Sequence, residues 1–182
     1  HVDKDDMINL FNELLTDDKA IYILSTHIIN YFYHTYEILW LPKPSLENFF
    51  RIAQENNVEN KKYNFQLKIY LLTHVIIWDT LFYQKKHLDD EYYHRYLEFA
   101  QQIISQNYKD ITLDCKCEFL VCCKICWFDS YLRDVIYSEA QKSICKRWVF
   151  LWEPMEPNKY NLWMSEHRNI LFIMAFLDKL DV

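Results

Sequence analysis

Apolar and polar positions recur along this chain with the period of a helix, not that of a strand. Ile8, Phe11, Leu14 and Leu15 form one apolar side of a segment over residues 3–15. Asp17 and Asp18 are placed to cap a second helix over about residues 19–41, apolar on most of its circumference and stopped by Pro42 and Pro44. Ser45 is a ready N-cap for a short helix to about residue 56, with Phe49, Phe50, Ile52 and Ala53 inward and Glu47, Arg51 and Glu55 outward. A second mostly apolar helix spans about 65–83, and the cations Lys85, Lys86 and His87 suit its negative end. Asp89, Asp90 and Glu91 open an outer helix whose inward residues are Tyr93, Tyr96, Leu97, Ala100 and Ile104. Residues 113–132 are apolar nearly all round once cysteine is counted as a small hydrophobe. A helix over about 134–151 ends before Pro154 and Pro157, and a last one covers about 162–180. The pattern predicts an all-α chain of about eight helices, a single helical domain over residues 1–182, with amphipathic and mostly apolar helices alternating.

Superimposed on this alternation is a longer period. Thr26-His27-Ile28-Ile29 repeats the residue types of Thr73-His74-Val75-Ile76, each after an apolar stretch, at a spacing of 74 − 27 = 47. His167 also sits beside an apolar segment, with 167 − 74 = 93, and Cys122 falls halfway, with 122 − 74 = 48. With two helices per unit, such a period predicts four α/α hairpins stacked as a curled solenoid or a small α/α toroid-like bundle. In the curled arrangement the repeated histidines and cysteine would meet near the axis.

Composition narrows the function. The 182 residues contain no glycine, so phosphate-binding loops, dinucleotide fingerprints and the hydrolase nucleophile elbow are excluded, and the connections fall to Asn, Asp and Pro. A net charge of −6, with only short basic pairs such as Lys61-Lys62, Lys85-Lys86 and Lys146-Arg147, argues against a nucleic-acid partner. No run of about 18 apolar residues suggests a membrane span, and no signal peptide is evident, although His1 suggests a trimmed or tagged start. Cys115, Cys117, Cys122, Cys123 and Cys126 crowd onto one predicted helix, where disulfide geometry is poor. Reduced thiols and a cytoplasmic location follow.

Three constellations carry candidate chemistry. His27, His74, Cys122 and His167 could converge on zinc, which takes nitrogen and sulfur ligands, and an open position would activate water. The plainer reading is that each histidine is buried and bonds nearby backbone or hydroxyl groups, as the adjacent Thr26 and Thr73 suggest. Glu118 shares a helix face with Cys122, extended by Cys126 and Asp129. A carboxylate in so apolar a helix needs a partner, and one of the histidines is the natural choice. That carboxylate works against a reactive thiolate at Cys122. Trp78 and Asp79 lie one turn beyond His74, and Tyr31 and His34 continue the His27 face, either as pocket walls or as ordinary core. Cys123 and Cys126 have the spacing of a zinc knuckle or redox pair, but no second pair accompanies them.

The Leu72-Thr73-His74 helix, followed about two helices later by Glu118 and Cys122, resembles an uncharacterised bacterial all-helical family, a domain of unknown function. More loosely, the alternation of helices resembles α/α toroid enzymes, including lanthionine cyclases and terpene cyclases. The aspartate-rich motif of terpene cyclases and the glycine-rich zinc signatures of lanthionine cyclases are absent, so these resemblances imply a fold and no activity.

Two function classes result. In one, inner helices surround a His/Cys-lined pocket that binds a metal, small molecule or peptide end, with His74 as ligand or general base and Glu118 as orienting or acid–base group. In the other, the chain is a non-enzymatic interaction module (an adaptor, inhibitor or immunity protein) whose acidic surface docks a protein. Metal analysis of protein purified without a histidine tag separates them. Stoichiometric zinc lost in both His74→Ala and His167→Ala is expected of the first, and metal-free protein whose substitutions alter only stability is expected of the second.

Overall fold

The computed structural model describes residues 3–41, 43–84, 91–143 and 162–177. Among them the chain is all helical, with nine helices and no strand: α1 (Lys4–Leu15), α2 (Asp18–Leu24), α3 (Thr26–Leu39), α4 (Leu46–Glu55), α5 (Lys61–Asp79), α6 (Glu91–Gln106), α7 (Leu113–Ile125), α8 (Arg133–Ser143) and α9 (Leu162–Phe176). Short polar side chains start many of them. Asp3, Asp17, Ser45, Asn60 and Thr112 each accept a backbone N–H of the first turn. The predicted cations at residues 85–87, the caps at 89 and 90, and the prolines at 42, 154 and 157 lie outside the described residues.

The pattern anticipates one helix where the structure has two. Residues 19–41 divide at Ser25, whose backbone leaves the helical region at φ 41° and whose hydroxyl donates to the Leu67 carbonyl of α5 at 3.3 Å. Both sides of the break are apolar, so periodicity carries straight through it. The cysteine helix is also shorter than its apolar run, ending at Ile125 and not near residue 132.

Packing follows two rows. α3, α5, α7 and α9 lie in that order, each against the next, and α4 and α6 pack on them and on each other. α3 and α9, the two ends of the first row, share no extensive contact among the described residues. α5 is the hub. It touches α2, α3, α4, α6 and α7, which is why Leu71, Leu72, Val75, Ile76 and Ile77 are all buried. α4 and α6, by contrast, present apolar faces inward and charged residues outward, and Phe50 of α4 stacks on Tyr96 of α6.

How a glycine-free chain ends its helices is settled by large residues. α3, α5 and α7 each close with a backbone N–H reaching five residues back: Leu41 to Tyr36, Phe82 to Ile77, Phe128 to Cys123. This closure demands a left-handed residue just past the helix, usually glycine. Here Trp40 (φ 57°), Leu81 (φ 50°) and Trp127 (φ 55°) occupy that position, and Phe82 and Tyr83 continue the left-handed turn after α5. The expectation that Asn, Asp and Pro would stand in for glycine is thereby corrected at these ends, because the five-back bond dictates the backbone angle whatever side chain is present.

A left-handed backbone is costly for any residue with a Cβ. Trp40 is 92% exposed, so its indole recovers little of that cost. Trp40→Gly is expected to raise the free energy of unfolding by about 1 kcal/mol, measured by urea denaturation. A loss of stability would show that the indole is packed.

Candidate functional site

The most concentrated buried polar chemistry lies where α5, α7 and α9 meet. Glu118 sits in the middle of α7, an apolar helix pressed between its neighbours, and is 1% exposed. An isolated carboxylate there would be several kcal/mol unfavourable. Two consecutive residues of α5 satisfy it. The Thr73 hydroxyl donates to Glu118 Oε1, and His74 Nδ1 lies 3.2 Å from the same oxygen. His74 Nδ1 is also 3.0 Å from the Tyr70 carbonyl one turn back. Both neighbours are acceptors, so Nδ1 carries a proton and Nε2 is the nitrogen without a carboxylate behind it.

A second pair stands one turn away on each helix. Asp114 precedes Glu118 by one turn of α7, and Tyr70 precedes His74 by one turn of α5. The Tyr70 hydroxyl donates to Asp114 Oδ2 at 3.2 Å, and His167 Nδ1 of α9 meets Asp114 Oδ1 at 3.1 Å. The His167 side chain is largely exposed and that of His74 largely covered, so the two imidazoles occupy different depths of one seam.

The seam tunes its own protonation. Burial opposes a charge on His74, but the Glu118 carboxylate and its hydrogen bond, with help from the Tyr70 carbonyl, outweigh burial and raise the pKa above the ordinary 6.5. The hydrogen bond to Asp114 raises His167 likewise. Burial alone would raise Asp114, yet its contacts with His167 and Tyr70 bring it below its ordinary value.

Of the residues singled out from the sequence, His74, Glu118, Cys122 and His167 come to this seam. Cys122 is fully buried, its thiol pointing at the Thr73 carbonyl at 3.7 Å. Burial first, then Glu118, hold that thiol well above its ordinary pKa, which works against a reactive thiolate. His27 stands exposed in the first turn of α3. Trp78 turns toward α3, donating to Asn30 Oδ1 at 2.6 Å and stacking on Tyr33. Asp79 accepts from Tyr93 of α6 at 2.5 Å and pairs with Lys43 at 2.6 Å.

The four-ligand centre of His27, His74, Cys122 and His167 is therefore not assembled. Among the described residues no three His, Cys, Asp or Glu side chains gather as a metal ion would require. The physical reason is that His27 stands exposed on α3, just past the helix break at Ser25, and the Cys122 thiol is turned onto a backbone carbonyl. Sequence reasoning missed Tyr70 and Asp114. Extending the Glu118 and His74 faces one turn toward the N-terminus would have found both.

A cavity of about 600 Å³ opens beside the C-terminal half of α7, bounded by Tyr83, Leu120, Val121, Phe128 and Met174 among others. Cys123 and Asp129 line it, whereas His27, His74, Trp78, Asp79, Glu118, Cys122 and His167 do not. Tyr83 lines this cavity, and burial above all raises its phenol pKa.

Stability should follow these ionisations. The two histidines stabilise the fold fully below their unfolded value near 6.5, and lose that contribution as pH rises through their raised folded values. Asp114 contributes above its ordinary 3.8 and ceases to as pH falls through its lowered folded value. The fold is thus expected to be most stable in mildly acid solution. In Glu118→Gln, burial is left to dominate, and His74 should titrate below 6.5 by histidine-ring NMR. A midpoint still above 6.5 would show that Glu118 does not hold the charge.

No helix among the described residues is long and apolar enough to cross a membrane, and the five described cysteines are free thiols. No curated protein and no solved structure matches the chain. A family model described as Domain of unknown function (DUF3541) matches residues 6–180, nearly the full length and including every residue of the seam, and the chain belongs to that family.

Proposed function

We propose that the α5/α7/α9 seam is a proton-transfer centre acting on a small molecule. The observation that carries this reading is the buried Glu118 carboxylate holding Nδ1 of His74, with Thr73 fixing the carboxylate in turn. A carboxylate behind an imidazole sets its tautomer, orients its ring and raises its basicity, which is what a general base requires. His74 would take or deliver the proton through Nε2, and Glu118 would orient it without reacting.

The His167–Asp114 pair supplies a second imidazole in the same seam, at a more exposed depth. Two such pairs in unlike surroundings permit one histidine to act as acid while the other acts as base. Cys122 has no part beyond packing, because its neutral thiol faces a backbone carbonyl. A reducing compartment such as the cytoplasm suits the five buried free thiols.

A second reading, a module that docks another protein, is favoured by the apolar side chains left in water at Ile38 (65% exposed) and Trp40. The two readings separate in a screen of small-molecule classes by histidine-ring NMR. Compounds that shift the His74 and His167 resonances together, are turned over by the wild type, and are bound but not turned over by His74→Gln are expected. Unchanged turnover in His74→Gln, or the absence of any compound that moves either ring, would overturn the proton-transfer reading.

A further inference from the structure

Two lysines are buried among the described residues, in unlike surroundings. Lys116 is 2% exposed and its ammonium lies 2.9 Å from Glu139, so its charge is compensated. Lys68, in the first half of α5, is 7% exposed and has no carboxylate among its partners. Its ammonium donates to the Gln54 carbonyl at 3.3 Å, and stands 5.9 Å and 6.0 Å from the ring centroids of Tyr22 and Phe99. On the helices packed around it, Arg51 of α4 holds Asp18 of α2 and Glu55 of its own helix. The Tyr22 hydroxyl is spent on Asn64, and Glu98 of α6, beside Phe99 in sequence, is exposed.

An ammonium placed this way loses water and regains one hydrogen bond and the weak attraction of two rings. Burial accordingly lowers the Lys68 pKa from its ordinary 10.5. The Gln54 carbonyl is among the last of α4, and the bond to it helps to close that helix. A neutral amine keeps this bond through one N–H and has its lone pair free. A desolvated lysine without a counter-charge is thereby a nucleophile. Gln54 is exposed and Phe99 half-buried, so the amine lies near the surface.

We propose that Lys68 is a reactive amine that condenses with a small uncharged aldehyde, whose hydrocarbon body lies against the Tyr22 and Phe99 rings. The Lys68 nitrogen bonds to the carbonyl carbon, both amine protons leave with the carbonyl oxygen as water, and a C=N bond remains. The rings supply apolar walls and the Arg51 guanidinium is already held by two carboxylates, which favours an uncharged ligand over an anionic one. The site faces α2, α4 and α6 and not the acid–imidazole seam, so it stands independently of the proton-transfer reading.

Treating the full chain with butanal and cyanoborohydride at about pH 6, where ordinary lysines are charged, tests this. Cyanoborohydride gives its hydride to the carbon of the protonated imine and fixes the butyl group as a secondary amine. Peptide mapping by mass spectrometry should find Lys68 butylated about tenfold or more faster than Lys61 and Lys62, exposed lysines of the same helix. Glyoxylate, an aldehyde that carries a carboxylate, should show no such preference for Lys68. Phe99→Glu, checked by circular dichroism for intact helix, supplies the missing counter-charge and should bring Lys68 down toward the rate of Lys61. Labelling of Lys68 no faster than of Lys61 and Lys62, the same preference with glyoxylate, or an unchanged rate in folded Phe99→Glu would each overturn the assignment.

Discussion

A carboxylate buried in the middle of an apolar helix constrains everything around it. Glu118 cannot be moved along or around α7 without losing either the Thr73 hydroxyl or the His74 ring, because both come from consecutive residues of α5 and meet one oxygen. The pair therefore fixes how far α7 is shifted and rotated relative to α5. Hydrophobic packing between two nearly uniform apolar surfaces would leave that register loosely defined, and directional polar contacts specify it. The Cys122 thiol on the Thr73 carbonyl, one turn further along, repeats the alignment with a weaker bond.

With that register set, the rest of the first row falls into place. Asp114 is carried to Tyr70 by the same two helices, and its second oxygen is left for His167, which ties α9 to the seam. A polar strip thus runs through three helices that otherwise meet mainly through apolar side chains. On the opposite side of α5, Asp79 bonds Tyr93 of α6 and Lys43 of the α3–α4 connection, so the hub helix is polar at both the seam and its far end. Lys116 gives α7 a further tie, to Glu139 of α8 at 2.9 Å, while lying 3.8 Å over the Tyr108 ring.

What the sequence disclosed depended on how local each determinant is. Helices α1, α4 and α6 are legible because their apolar faces recur at helical spacing and short polar residues cap α1 and α4. The requirement that Glu118 find a partner was legible from the cost of burying charge, and His74 is that partner. The break at Ser25 was not, since it is set by a carbonyl of α5 that lies 42 residues away. Equal sequence spacing placed His27 with His74, and one helical turn placed Trp78 and Asp79 beside it, but neither count says which neighbour a side chain meets. The break at Ser25 interrupts one copy of the motif, and Trp78, one turn beyond His74, meets Asn30 and Tyr33 of α3 and not the seam. The cavity was invisible for the same reason, being bounded by residues whose common property is position.

The left-handed helix ends carry an evolutionary consequence. Tryptophan and glycine codons differ at one base, so relief of strain at Trp40 or Trp127 is a single point mutation away. The two sites are not equivalent to a mutational survey. At Trp40, in open solvent, such a change trades an indole for a relaxed backbone and little else. At Trp127 the same trade also strips an aromatic side chain from the wall of the cavity beside α7, so relief of strain there reshapes a concave surface.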